Sequence, residues 1–143
     1  MKVAVKRFML DASVPVAWFF EDESTGFTEG VLDLISAGAQ ALAPAIWPFE
    51  VANALLVAER RKRITVAQVT ALLGRILLLP VSVESVESEI AFTRVLSVAR
   101  QQKLTEYDAA YVELALRNGL PLATLDDQLR QAARTSGIAL VSV

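Results

Sequence analysis

Along this chain, short apolar runs of strand length alternate with longer stretches in which apolar positions return at helical spacing. Val3–Leu10 reads as a first strand, followed by a short helix over Val14–Phe20 and a polar turn at Glu21–Gly26. A second helix is predicted over Phe27–Ala37, because Val31, Leu34 and Ile35 fall on one face. Ala41–Ala43 is a short strand candidate. Helices follow over Pro48–Arg61 and Thr65–Leu78, the latter opened by Thr65 and Gln68 in a capping-box pattern. Pro80–Val83 reads as a strand and Glu84–Gln102 as a long helix. Thr105–Arg117 has the clearest periodicity: Tyr107, Ala110, Tyr111, Leu114 and Ala115 repeat at helical intervals, and Asn118-Gly119 stops the helix. Leu122–Thr124, a helix from Asp126 to Ser136, and Ile138–Val143 complete the series. Strands alternating with helices predict an α/β domain built on a parallel sheet with right-handed crossovers. No repeat, linker or low-complexity segment divides residues 1–143, so one domain is expected.

Composition sharpens this picture in two ways. The apolar share of 54% is high for 143 residues, which points to helices buried on both faces of a sheet, to a subunit interface, or to both. A net charge of −2 makes the molecule no polycation, so a nucleic-acid partner would need a local basic patch or metal ions. With no Cys, disulfides, thiolate catalysis and zinc–cysteine sites are excluded, and a reducing cytoplasm suits the chain. The basic start is interrupted by Asp11 and Pro15, unlike a signal peptide, and the longest uncharged stretch carries Ser, Gly, Gln and Pro. A cytoplasmic protein with no membrane segment is expected.

Four acids sit where acids are expensive. Asp11 ends the run Phe8-Met9-Leu10, Glu50 lies within Ala45–Ala52, Asp108 opens Asp108-Ala109-Ala110-Tyr111-Val112, and Asp126 follows Pro121–Leu125. Burying an ionised carboxylate without a partner costs several kcal/mol or forces protonation. The chain has no His, and no Lys after Lys103. Each acid also has a structural explanation, because helix starts favour acids through the dipole and through capping. Taken together, Asp11 and Asp126 leave strand ends, and Glu50 and Asp108 begin helices near the same edge, where open α/β sheets hold ligands. Glu50 and Asn53 are the only polar residues from Ala45 to Ala58 and share a helix face. A shared acidic site with a hard, oxygen-bound cation, Mg²⁺ or Mn²⁺, is therefore expected.

Other polar residues belong to that edge. Ser13 and Thr124 would orient a metal-bound water or cap helices. Arg60-Arg61-Lys62-Arg63 is the only basic run, either a solvated helix end or a phosphate-contacting patch.

At this point the residues resemble a known family. Leu10-Asp11-Ala12-Ser13-Val14 is similar to the opening of PIN-domain proteins, Phe49-Glu50-Val51-Ala52-Asn53-Ala54-Leu55 to their second acidic motif, Leu104-Thr105-Glu106-Tyr107-Asp108-Ala109-Ala110-Tyr111 to the third, and Leu122-Ala123-Thr124-Leu125-Asp126 to the fourth. The four motifs occur in order over nearly the whole chain, and the length resembles that of single-domain VapC-type toxins. The resemblance implies a parallel sheet of about five strands sandwiched by helices, and a Mg²⁺-dependent endoribonuclease neutralised by a small antitoxin and commonly dimeric. Asp11, Glu50, Asp108 and Asp126 take the places of the acidic quartet, with the Thr-x-Asp spacing selecting Asp126 over Asp127.

The chemistry agrees with that expectation. A carboxylate-held cation can lower a water's pKa, polarise phosphate, and reverse the repulsion between acidic cleft and RNA. Asp11 and Asp108 are the expected direct ligands, with Glu50 and Asp126 acting directly or through water. A haloacid-dehalogenase-like phosphatase would want a second Asp where Ser13 stands and a later Lys, and a receiver domain also wants that Lys. The remaining alternative is a PIN-like module that binds RNA or a protein without cutting. A homodimer with a hydrophobic groove for an antitoxin segment is expected, on the helices Pro48–Arg61 and Glu84–Gln102.

Overall fold

Strand β1 (Arg7–Leu10) lies inside the sheet, because Phe8, Met9 and Leu10 are apolar in succession and all three are fully buried. The computed structural model describes residues 5–143. Of the strand predicted over Val3–Leu10, the first two residues lie outside those described, and the ladder begins at Arg7, paired with Gln40. On one side of β1 lies β2 (Gln40–Pro44), then β3 (Val81–Glu84) at the edge; on the other lies β4 (Leu122–Ala123). All pairings are parallel, in the order β3-β2-β1-β4. The chain builds outward from β1 through β2 to β3 and then returns to the opposite side of β1. Its topological switch therefore falls between the ends of β1 and β4, where such sheets open a crevice.

The sheet has four strands among the described residues, one fewer than expected. Ile138–Val143 forms a single parallel bridge, Leu122 with Leu140, rather than a fifth strand. The reason is the shortness of β4: two backbone bonds hold the tail to Leu122, from its amide to Ala139 O and to its carbonyl from Val141 N. Beyond Ala123 the chain turns away to serve the acidic edge.

The helices are α1 (Ser13–Ala17), α2 (Gly26–Ser36), α3 (Trp47–Arg60), α4 (Val66–Leu77), α5 (Ser88–Ile90), α6 (Leu96–Gln102), α7 (Glu106–Asn118) and α8 (Asp127–Ser136), with α5 and α6 in place of the one long helix predicted over Glu84–Gln102. The capping box between Thr65 and Gln68 is formed in both directions, Gln68 N to Thr65 Oγ1 at 3.2 Å and Thr65 N to Gln68 Oε1 at 2.9 Å. The long helix predicted from Glu84 is corrected at both its start and its middle. Glu84 still belongs to β3, paired with Pro44, so the helix begins at Ser88. Ala91–Val95 then form a π-helical turn linking α5 to α6. Helix α7 packs over β1 and β2, and its buried stripe includes Tyr111, Leu114 and Ala115. Tyr107, placed on that stripe by periodicity, is instead exposed in the first turn of α7. No helix among the described residues is long and apolar enough to cross a membrane.

Candidate active site

Asp11 leaves the C-terminal end of β1 and is 5% exposed. Its Oδ2 accepts two hydroxyl hydrogen bonds, from Ser13 Oγ at 2.6 Å and from Thr124 Oγ1 at 2.8 Å. Each hydroxyl is itself anchored, because Ser13 Oγ accepts from Leu125 N at 3.0 Å and Thr124 Oγ1 from Asp126 N at 3.0 Å. The ends of β1 and β4 are thus tied together by two hydroxyls that both aim at one carboxylate oxygen. Thr124 is itself buried, at the first residue past β4.

Glu50 occupies the first turn of α3 behind Pro48, which suits an acid near the helix N-terminus. Its polar companion is not Asn53, which is exposed on α3. The sequence argument that paired them is overturned by the helix's orientation. The partner is Tyr111, whose hydroxyl donates to Glu50 Oε1 at 2.7 Å. Asp108 sits half-buried in the first turn of α7, with its amide donating to the capping Thr105 Oγ1 at 3.1 Å. Asp126 caps α8, accepting from Leu129 N at 2.9 Å. Its capping role is real, and it stands at the same edge as Asp11.

The electrostatics join the four acids. Burial raises the Asp11 pKa, against the lowering effect of the Ser13 and Thr124 hydrogen bonds, and the charge of Asp126 raises it further. Burial raises that of Glu50, opposed by the Tyr111 hydrogen bond and reinforced by Asp11 and Asp108. Asp108 is raised by desolvation first, then by the charges of Asp126 and Asp11. Burial together with the neighbouring carboxylates drives the Tyr111 hydroxyl far above its ordinary value, so it remains a donor. The structure therefore brings all four sequence-predicted acids to one edge.

A fifth buried acid shows what a structural carboxylate looks like here. Glu113, 4% exposed, is matched one turn later by Arg117, which contacts its two oxygens at 3.1 and 3.2 Å. Among the described residues, none of the four edge acids has such an ion pair. Their donor set is all oxygen, the kind a hard divalent cation takes. As the side chains stand, no three acids among the described residues converge tightly enough to ligate one ion.

The basic run lies elsewhere. Arg60 is ten residues along α3 from Glu50, about 15 Å at the helical rise. Arg63 is committed locally: it pairs with Asp22 at 3.1 Å and Glu23 at 3.6 Å, and its guanidinium lies 4.3 Å from the Phe20 ring centroid. Arg60, Arg61 and Lys62 are exposed.

Two residues at the edge were missed by sequence reasoning. Tyr111 was read only as an apolar stripe position, although it stands three residues after Asp108 and so shares its face. Arg130 was not singled out within the predicted helix from Asp126 to Ser136. Its Nε donates to Thr124 O at 2.9 Å, and it follows Asp126 by one turn, the spacing that could have revealed it.

The family model of the PIN domain matches residues 8–135. The chain belongs to the PIN-domain family. Among solved structures, this PIN domain is similar to PAE2754 from Pyrobaculum aerophilum at 26% identity and TM-score 0.69, covering 90% of this chain and 80% of that one. It also resembles VapBC2 from Rickettsia felis bound to a promoter DNA fragment, at 12% identity and TM-score 0.65, over 94% of this chain and 97% of that one. A toxin–antitoxin complex from Klebsiella pneumoniae matches at 18% identity and TM-score 0.58, over 83% and 86% of the two chains. No curated protein matches the sequence significantly. Asp11, Glu50, Asp108 and Asp126 all lie inside the matched span of the PIN domain.

Proposed function

We propose that this PIN domain is a metal-dependent endoribonuclease and the toxin of a toxin–antitoxin pair. One observation carries the reading: among the described residues, the four acids at the sheet edge lack cations of their own, while the structural acid Glu113 has Arg117. Asp11 and Asp108 would hold Mg²⁺ or Mn²⁺, with Glu50 and Asp126 completing the site directly or through water. A bound cation supplies Lewis acidity toward the phosphate and a more acidic water. The protein's own part is positional. Ser13 and Thr124 hold the Asp11 carboxylate in one orientation, and Tyr111 does the same for Glu50. Glu50 and Asp126 would assist by accepting a proton from an attacking water.

Two further features support a protein partner. Phe49 on α3 and Phe92 in the π-helical turn are 73% and 74% exposed, on the two helical stretches chosen from sequence for a homodimer. A groove of about 350 Å³ lined by Trp47, Val51, Leu73, Ile76 and Val81 offers an apolar seat for an antitoxin segment.

The test is cleavage of a structured RNA with Mg²⁺ and with EDTA, comparing parent and Asp11→Asn. Metal-dependent cutting by the parent alone is the expected result. RNA binding without turnover in any metal would select the non-catalytic module instead.

A further inference from the structure

We infer that the cleft beside the carboxylates, walled by Arg130 and Arg134, is a subsite for a backbone phosphate of the RNA strand next to the one being cleaved. This rests on the nuclease reading and adds to it where the strand is held. The cavity is about 220 Å³ and is lined by Phe27, Thr124, Arg130, Arg134 and Leu140, among others. Arg130 and Arg134 are one helical turn apart on α8, so their guanidinium groups reach the same side of that helix.

Arg130 is placed rather than free. Its Nε is fixed by Thr124 O at 2.9 Å, and its guanidinium lies over the Phe27 ring at 5.4 Å from the centroid. Those contacts leave the terminal nitrogens of Arg130 with no protein acceptor among the described residues. Arg134 likewise has no carboxylate partner among them. The same Thr124 that anchors Arg130 through its carbonyl donates its hydroxyl to Asp11. One residue thus joins the basic wall to the acidic edge.

The charge arrangement selects the occupant. The carboxylates gathered at the edge, without cationic partners among the described residues, repel a polyanion until a cation sits between them. An anion that also reaches Arg130 and Arg134 gains fixed attraction immediately beside that barrier. A nucleic-acid strand carries a phosphate at every nucleotide and can occupy both places at once. An acidic peptide would gain only at the arginines and meet repulsion beyond them. The exposed Arg60-Arg61-Lys62 group lies at the far end of α3 from Glu50, about 15 Å along that helix, and does not line this cleft.

The experiment measures binding of a short, fluorescently labelled single-stranded RNA of mixed sequence at several salt concentrations. Asp11→Asn is the common background, so that nothing is cut. Arg134→Gln is the primary variant because the residue is exposed and its loss leaves the fold intact. It should lower the slope of log affinity against log salt by about 0.7, the value for one phosphate contact to a single strand, and Arg134→Lys should restore it. Arg130→Gln with Arg134→Gln should lower the slope by about 1.4 and weaken binding roughly tenfold at moderate salt. In the parent background the same changes should raise KM and leave kcat nearly unchanged.

An unchanged slope in Arg134→Gln overturns the proposal, as does a slope that falls only when Arg60 and Arg61 are replaced. Competition by oligoglutamate that needs the two arginines, with RNA binding indifferent to them, would overturn it in favour of an acidic peptide. The two readings fail separately. A parent that never cuts RNA but shows the arginine-dependent slope keeps this subsite and loses the nuclease. A parent that cuts with a slope indifferent to the arginines does the reverse.

Discussion

Tyr111 and Glu50, 61 positions apart in sequence, are joined by a 2.7 Å hydrogen bond from the tyrosine hydroxyl to Oε1. Tyr111 is completely buried, and its hydroxyl is held protonated by burial and by the carboxylates around it. The bond fixes the first turn of α3 against the middle of α7, which sets where Glu50 can point.

Replacing Tyr111 by Phe should therefore act on both stability and chemistry. Losing a buried bond to a carboxylate should cost about 1–2 kcal/mol in urea unfolding. The same bond lowers the Glu50 pKa, so its loss raises that value further. The acid limb of the pH–rate profile should shift to higher pH, because Glu50 then ionises later. An unmoved limb would remove Glu50 from the reacting groups.

Thr124→Val removes one of the two hydroxyls on Asp11 Oδ2 and leaves the Asp126 amide without its acceptor. Burial of both groups makes a loss of about 1–3 kcal/mol the expected result. Nuclease activity should fall by more than the folded fraction, because the Asp11 carboxylate loses its orientation. Ser13→Ala should give the same pattern, since Ser13 Oγ bridges Asp11 and the Leu125 amide.

Asp108→Asn separates a helix-start acid from a member of a repelling cluster. As a dipole acid alone, its loss would lower stability by up to about 1 kcal/mol. Its raised pKa, driven by desolvation and by Asp126 and Asp11, points the other way. The metal-free variant should melt at the parent's temperature or above, show a smaller Mg²⁺-induced rise, and lose RNA cleavage. Thermal melts with EDTA and with Mg²⁺, run beside a cleavage assay, give the answer.

The pH dependence follows from the same shifts. Asp11, Glu50 and Asp108 all have folded pKa values above their unfolded ones. The unfolded chain therefore gives up these protons first as pH rises through about 4, the ordinary carboxylate value. In EDTA these three groups should lower stability from that point up to their raised folded values, with no further change above them. Mg²⁺ should remove much of the loss near neutral pH. Urea titrations across the acid range, with and without the cation, measure both effects.

Phe92→Glu places a charge on an exposed apolar position of the helical stretch proposed for self-association. Light scattering of the parent at micromolar concentration should report a dimer, and the variant a monomer of unchanged melting temperature. A monomeric parent would rule the dimer out.

Periodicity and punctuation in the sequence determined the α/β class, the parallel sheet and most helix ends. Local rules suffice there: Thr65 and Gln68 close their capping box wherever the helix packs, and Gly119 takes the left-handed stop after Asn118. The four edge acids were legible for a related reason. Each stands in apolar sequence at a strand end or helix start, and the order of elements alone sends those points to one side of a parallel sheet. Tertiary structure decided what local sequence does not contain. Asn53 faces solvent and Tyr111 supplies the bond to Glu50, because the rotation of α3 is set by packing against its neighbours rather than by its own residues. The tail from Ile138 gives one bridge instead of a strand, because Thr124 leaves the ladder to bind Asp11. Arg130 joins the edge through the Thr124 carbonyl, a backbone atom whose direction no residue type announces.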